Sequence, residues 1–166
     1  MNKMPKQVTK KPEKKMQETS AKTATYYHAV GRRKEAIAQV RLYVATSADV
    51  TVNGKAIKKG DIVVNDKPIE EYFRDATSKK IYMEPLRTTN TLGRFAISVH
   101  TSGGGLQGQL EAFVHGISRA LLLVDESKFR PILKKQGFLM RDPRAKERRK
   151  AGFAQKARAK KQSPKR

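Results

Sequence analysis

The sequence predicts one α+β domain followed by a long basic tail, and three observations carry that reading. Leu106, Leu110, Phe113, Val114, Ile117, Leu121 and Val124 recur at steps of three and four, the mark of a single buried helical face. Just upstream, Phe95, Ile97 and Val99 alternate with Ala96, Ser98 and His100, a half-buried strand that enters the helix through Gly103, Gly104 and Gly105. The third observation is where the charge lies. Of the net +22, residues 1–24 carry +5 from seven Lys and two Glu, and residues 25–140 carry +7 from 18 basic and 11 acidic side chains. Residues 141–166 carry +10 from 12 basic and two acidic. So dense a run repels itself, and it is expected to be ordered only by a polyanion.

In chain order, residues 1–24 hold almost nothing apolar to bury and read as a disordered basic extension. They lack arginine and contain Glu13 and Glu18, which argues against an organellar transit peptide. Residues 26–30 are strand-like, and Gly31, Arg32, Arg33 and Lys34 are expected to break the strand. Val40, Leu42 and Val44 then alternate against Gln39, Arg41 and Tyr43. Three adjacent cations at a turn tip make either a solvated corner or a phosphate clamp, and the net charge favours the clamp. Residues 49–57 are echoed by residues 61–69, each copy a short strand running into a turn, the first through Asn53 and Gly54. One copy reads as an inserted extra strand or hairpin.

Pro68 opens a short helix over residues 69–73, with Glu70 and Glu71 where the helix dipole favours acids. A second helix over residues 78–88 is expected to be interrupted near Pro85. After the long helix, Asp125 caps another over residues 127–135, ended by Gly137. Phe138, Leu139 and Met140 form the last apolar patch. Beyond Arg141, Asp142 and Pro143 the chain is tail, with one helical turn expected over residues 146–150.

The glycine loop has two readings. Its backbone N–H groups at a helix start suit a phosphate, or the glycines allow a tight turn in which strand and helix pack closely. Gly103, Gly105 and Gly108 fit G-x-G-x-x-G, but Asp125 and Glu126 follow the helix directly, without the second strand a dinucleotide fold needs. No acid–base pair or nucleophile constellation accompanies the loop, so a nucleotide-dependent enzyme is disfavoured. There is no cysteine, and His28, His100 and His115 share no ligand spacing. Neither metal nor cofactor is expected. No apolar run approaches the roughly 20 residues of a membrane span, so no membrane partner is expected. A general DNA-binding protein fits the composition, but no helix-turn-helix or finger is recognisable.

Several blocks assemble into a known pattern: Tyr27, His28, Ala29, Val30, Gly31, Arg32, Arg33, Lys34; residues 65–73; residues 103–109; His115, Gly116, Ile117, Ser118, Arg119, Ala120, Leu121; and a closing Ser163, Pro164, Lys165, Arg166. Over residues 26–166 the chain resembles the family of the ninth protein of the small ribosomal subunit, in its bacterial form. The resemblance implies a two-layer α+β domain, a mixed or antiparallel sheet packed by helices, with a left-handed β-α-β crossover. It also implies a cytoplasmic, ribosome-bound, non-enzymatic protein of the subunit head, among neighbouring ribosomal proteins.

Contacts to ribosomal RNA are expected from Arg32, Arg33, Lys34, Gly103, Gly104, Gly105, Gln107, Gln109, His115 and Arg119. In the tail they are expected from Arg141, Arg144, Arg148, Arg149, Lys150, Lys156, Arg158, Lys160 and Lys161. Ser163, Lys165 and Arg166 would meet the anticodon stem-loop of peptidyl-site tRNA. The segment over residues 49–59 and the first 24 residues lie outside the family pattern. So does Ser163, which, with the closing Lys165 and Arg166 kept, stands where the family commonly has an aromatic.

Overall fold

The first two strands form one hairpin. β1 (Tyr26–Arg33) pairs antiparallel with β2 (Ala36–Tyr43), Arg33 opposite Ala36, so the turn consists of Lys34 and Glu35 alone. This computed structural model describes residues 26–44, 50–52, 54–153 and 157–158. The strand does not break at Gly31, as the charge cluster suggested. It runs on through Arg33, and only Lys34, at φ 51°, takes the left-handed conformation of a tight turn.

The echoed segments are both hairpins. β3 (Val50–Val52) and β4 (Lys55–Ile57) form a separate two-stranded sheet, whose Val52 and Ile57 bury against Tyr43 and Ala96. Asn53, at its turn, lies outside the described residues; Gly54 has φ 77°. β5 (Ile62–Val64) and β6 (Lys67–Pro68) turn through Asn65 and Asp66, at φ 46° and 63°. β7 (Ala96–Ser102) pairs antiparallel with β2 and parallel with β5, giving one mixed sheet in the order β1-β2-β7-β5-β6.

Helices α1 (Ile69–Tyr72) and α2 (Ala76–Thr88) connect the parallel pair. Asp75 caps α2 by accepting from the Ser78 N–H at 3.3 Å. The expected interruption at Pro85 does not occur. Proline removes one intrahelical bond, but Tyr82, Pro85 and Leu86 bury together against the core, and only three residues of helix follow. α4 (Glu126–Lys135) is capped by Asp125 and ends as the sequence implied: Gly137 takes φ 77°, and the Gly137 and Phe138 N–H groups bond back to the Lys134 and Leu133 carbonyls. Phe138 and Leu139 then pack on the core, whereas Met140 is 82% exposed. Residues 146–150 form no helix.

The core lies between the sheet and α3 (Leu106–Val124), where Leu110, Phe113, Ile117 and Leu121 meet Val40, Leu42, Ile97 and Val99. Leu106, expected on that face, is 60% exposed at the helix start, and Val124 is only half-buried. A second stripe decides how close α3 sits. Gly108, Ala112, Gly116 and Ala120 recur every four residues and are all buried, over Ala29, Gly31, Ala36 and Ala38 on β1 and β2. With side chains this small, the helix axis can approach the strands until backbone meets backbone. A Cβ on Gly31 would stand 1.9 Å from the Ala112 carbonyl oxygen, and one on Gly116 2.7 Å from Val40 Cγ2.

Candidate nucleic-acid interface

Strand alternation separates the three adjacent cations rather than gathering them at one tip. Arg32 and Lys34 are exposed, but Arg33 shares the inward face of β1 with Ala29 and Gly31 and is buried. Its guanidinium Nε donates to Glu111 Oε2, Nη1 donates to the Arg144 carbonyl oxygen, and Nη2 lies 3.1 Å from Asp142 Oδ2. Burial alone would raise the Glu111 carboxyl; hydrogen bonds from Arg33 and Gln107 outweigh it and hold Glu111 below its usual range. Asp142 is held well below the carboxylate range, chiefly by the Arg144 side chain and backbone N–H, with Arg33 adding to it.

The other expected contacts of the domain are tied into the fold as well. His115 is half-buried and accepts from the Arg32 N–H on Nδ1 at 3.3 Å. Burial and the neighbouring Arg119 push its pKa below the ordinary histidine value, so at neutral pH it offers a polar edge, not a charge. Arg119 donates through Nη1 to the Val30 carbonyl oxygen and remains exposed. Gln107 donates to Glu111. Gln109 donates to the Gly103 carbonyl oxygen at 3.0 Å and accepts from the Tyr72 hydroxyl at 2.7 Å. Asn65 completes that network by bonding to Thr101 through both ends of its amide.

In the glycine loop the three residues have different surroundings. Gly103 and Gly104 take φ 72° and 59° and lie against the β1–β2 turn, where a Cβ would meet the Glu35 carbonyl oxygen at 2.4 Å and the Ala36 Cβ at 3.1 Å. Gly105, the N-cap of α3, has φ −110° and no atom within 4 Å of an added Cβ. The tight-turn reading therefore accounts for the first two glycines, and only the third faces open space. Gly104→Ala is accordingly expected to lower the melting temperature of the free protein by several degrees, through left-handed strain of about 1 kcal/mol plus the clash. Gly105→Ala should leave it unchanged, because extended backbone accepts any residue. Equal losses in the two variants, measured by thermal denaturation, would contradict this division.

The tail begins where the chain leaves Leu139. Arg141, Lys146, Arg148, Arg149 and Lys150 are exposed and form no ion pair among the described residues. Arg144 pairs with Asp142, and Arg158 with Glu147. Lys156, Lys160, Lys161, Ser163, Lys165 and Arg166 lie outside the described residues. Among the described residues no group of three or more His, Asp or Glu could hold a metal ion, and no helix is long and apolar enough to cross a membrane.

Sequence reading missed the acids that hold Arg33, because Glu111 and Asp142 stand 78 and 109 positions away along the chain. It also missed Arg41, which lies over the Tyr26 ring at 5.6 Å, although the alternation of β2 was enough to place it on the face away from α3.

A mixed sheet under one long helix, with a buried arginine gripping the root of an exposed cationic tail, defines a basic α+β protein of the nucleic-acid-binding class. Residues 31–166 match the ribosomal protein S9/S16 family. The small ribosomal subunit protein uS9 of Maridesulfovibrio salexigens is 48% identical over 127 residues, covering 76% of this chain and 87% of its own length. Its counterpart in Anaeromyxobacter sp. strain K is 46% identical over 123 residues, covering 74% and 84%. The chain belongs to the ribosomal protein S9 family.

Proposed function

We propose that the protein docks on ribosomal RNA in the head of the small subunit and reaches the anticodon stem-loop of peptidyl-site tRNA with its last residues. As a member of its family it is a structural constituent of the small ribosomal subunit, with ribosomal RNA and neighbouring ribosomal proteins as partners. The family is non-enzymatic in general. On this reading residues 25–140 are the docking domain, residues 141–166 the tail that orders on RNA, residues 1–24 a separate extension, and the protein works in the cytoplasmic ribosome. The crossover from β5 through α1 and α2 to β7 takes the left hand of the family.

The observation that carries the proposal is the row of exposed tail cations that form no ion pair among the described residues, from Lys146 to Arg148, Arg149 and Lys150. Cations in that density stabilise a complex by releasing counterions from a phosphate backbone. Arg32, Lys34 and Arg119, exposed on the domain, would add contacts of the same kind. Co-sedimentation with small subunits at moderate salt tests the reading, and a protein left in the supernatant would refute it.

The tRNA contact is assigned to Ser163, Lys165 and Arg166 by the resemblance of the terminal block. Arginine presents a planar fork that matches a phosphate, while solvent screening limits what such a pair contributes. The net gain should therefore be modest. Deleting Lys165 and Arg166 is expected to leave subunit assembly intact and weaken peptidyl-site tRNA binding roughly ten-fold, equivalent to ~1.4 kcal/mol. Filter binding of tRNA to subunits with and without the two residues measures it; unchanged affinity would leave the tail only an RNA-anchoring role.

A further inference from the structure

Arg33 has every hallmark of an occupied side chain. It is 11% exposed, it ends β1 on the side facing α3, and all three of its nitrogens have protein acceptors. One acceptor, Glu111, belongs to α3 and binds at 2.5 Å. The other two belong to the tail root: the Arg144 carbonyl oxygen at 2.5 Å and Asp142 Oδ2 at 3.1 Å. Arg144 holds Asp142 as well: its backbone N–H donates to Oδ1 at 2.9 Å, and its Nη2 donates at 2.7 Å to Oδ2, the oxygen that faces Arg33. A phosphate competing for these three donors would have to displace two carboxylates and a carbonyl.

We infer that Arg33, with Glu111 and Asp142, is a clamp that sets the direction in which the tail leaves the domain, and is not itself an RNA ligand. The inference rests on the tail's being the RNA-binding segment. Twenty-two residues follow Arg144. A flexible chain of that length spreads over about 25 Å, so an unfixed root multiplies the positions its end must search. Fixing the root raises the effective concentration of the tail at its RNA site without adding a contact. Only arginine suits the post, because one planar fork serves three acceptors lying in different directions; a lysine ammonium on a flexible stem does not.

The sign of one substitution separates a clamp from simple charge. Asp142→Ala removes a negative charge from a cationic segment and frees Arg144, so charge alone predicts tighter binding to small-subunit ribosomal RNA. The clamp predicts binding weakened on the order of ten-fold at fixed salt. Asp142 lies beyond the last helix, and an unchanged melting temperature will confirm that the domain is intact. Arg33→Lys keeps the charge and is expected to weaken binding to the same extent. Tighter binding by Asp142→Ala, or full affinity in Arg33→Lys, would overturn the clamp; failure of the unsubstituted protein to bind would instead refute the RNA-binding reading.

A second measurement needs no RNA. Trypsin cleavage of the free protein after Arg144, relative to cleavage after the exposed Arg148, should rise several-fold in Arg33→Lys. An unchanged ratio would also overturn the clamp.

Discussion

Replacing Gly31 by alanine is expected to leave no stably folded domain. The added Cβ would stand 1.9 Å from the Ala112 carbonyl oxygen, 2.4 Å from the Gly116 nitrogen and 2.8 Å from the Gly116 Cα. All three are backbone atoms in the middle of α3, so no rotamer change relieves the clash. The helix must lift from β1, and lifting it opens the contacts of Leu110, Phe113, Ile117 and Leu121 with the sheet. Ordinary overpacking costs about 1–3 kcal/mol because side chains give way. A backbone-on-backbone clash across the central interface should exceed ~4 kcal/mol, comparable with the ~5–15 kcal/mol that holds a whole domain folded.

The expected signature is loss of the cooperative thermal transition by circular dichroism, or a melting point lower by at least ~10 °C. Gly116→Ala should be milder. Its Cβ meets the end of the Val40 side chain at 2.7 Å, and that methyl group can turn away, although the Gly31 nitrogen at 3.1 Å still resists. A cooperative melt for Gly31→Ala within a few degrees of the unsubstituted protein would mean that α3 does not sit on β1 as described.

That prediction could not have been made from periodicity alone. The face of α3 was legible because Leu110, Phe113, Ile117 and Leu121 are large and apolar, and such residues dominate any search for a buried stripe. The Gly108, Ala112, Gly116 and Ala120 stripe is equally regular, but small residues carry little hydrophobic signal, so its role in close packing went unread. Caps were legible because their chemistry is local: Asp125 and Gly137 act within three or four residues.

Arg33 was misplaced for the opposite reason. Three consecutive cations looked like one surface feature, while the strand alternation that turns the middle one inward depended on β1 continuing past Gly31. The helical turn expected over residues 146–150 has suitable helix formers but no apolar face. A segment so short is marginal without tertiary packing, and the structure gives it none.

Ending the chain at Arg144 is expected to remove most of the salt dependence of RNA binding while leaving the domain intact. None of the described residues between 145 and 158 is buried, so among the described residues folding loses no core contact, and the Arg33 clamp keeps its partners. The truncation removes ten basic residues and one acidic, Glu147. Set against Glu147, which pairs with Arg158, the segment carries an excess of nine positive charges to meet phosphates. With about 0.7 counterions released per contact on single strands and about 0.9 on B-DNA, nine contacts contribute a log–log slope of about −6 to −8.

Contacts in that number change affinity by about 10³–10⁵ between 50 and 200 mM salt. The full chain should show this steep fall. The truncated chain should bind weakly, with the shallower slope left by Arg32, Lys34, Arg119 and Arg141. Titrating both proteins against small-subunit ribosomal RNA over that range, with thermal denaturation of each as the folding control, gives the comparison. A difference in slope near 2 would mean that the tail cations mostly face solvent in the complex, and that the domain surface holds the RNA.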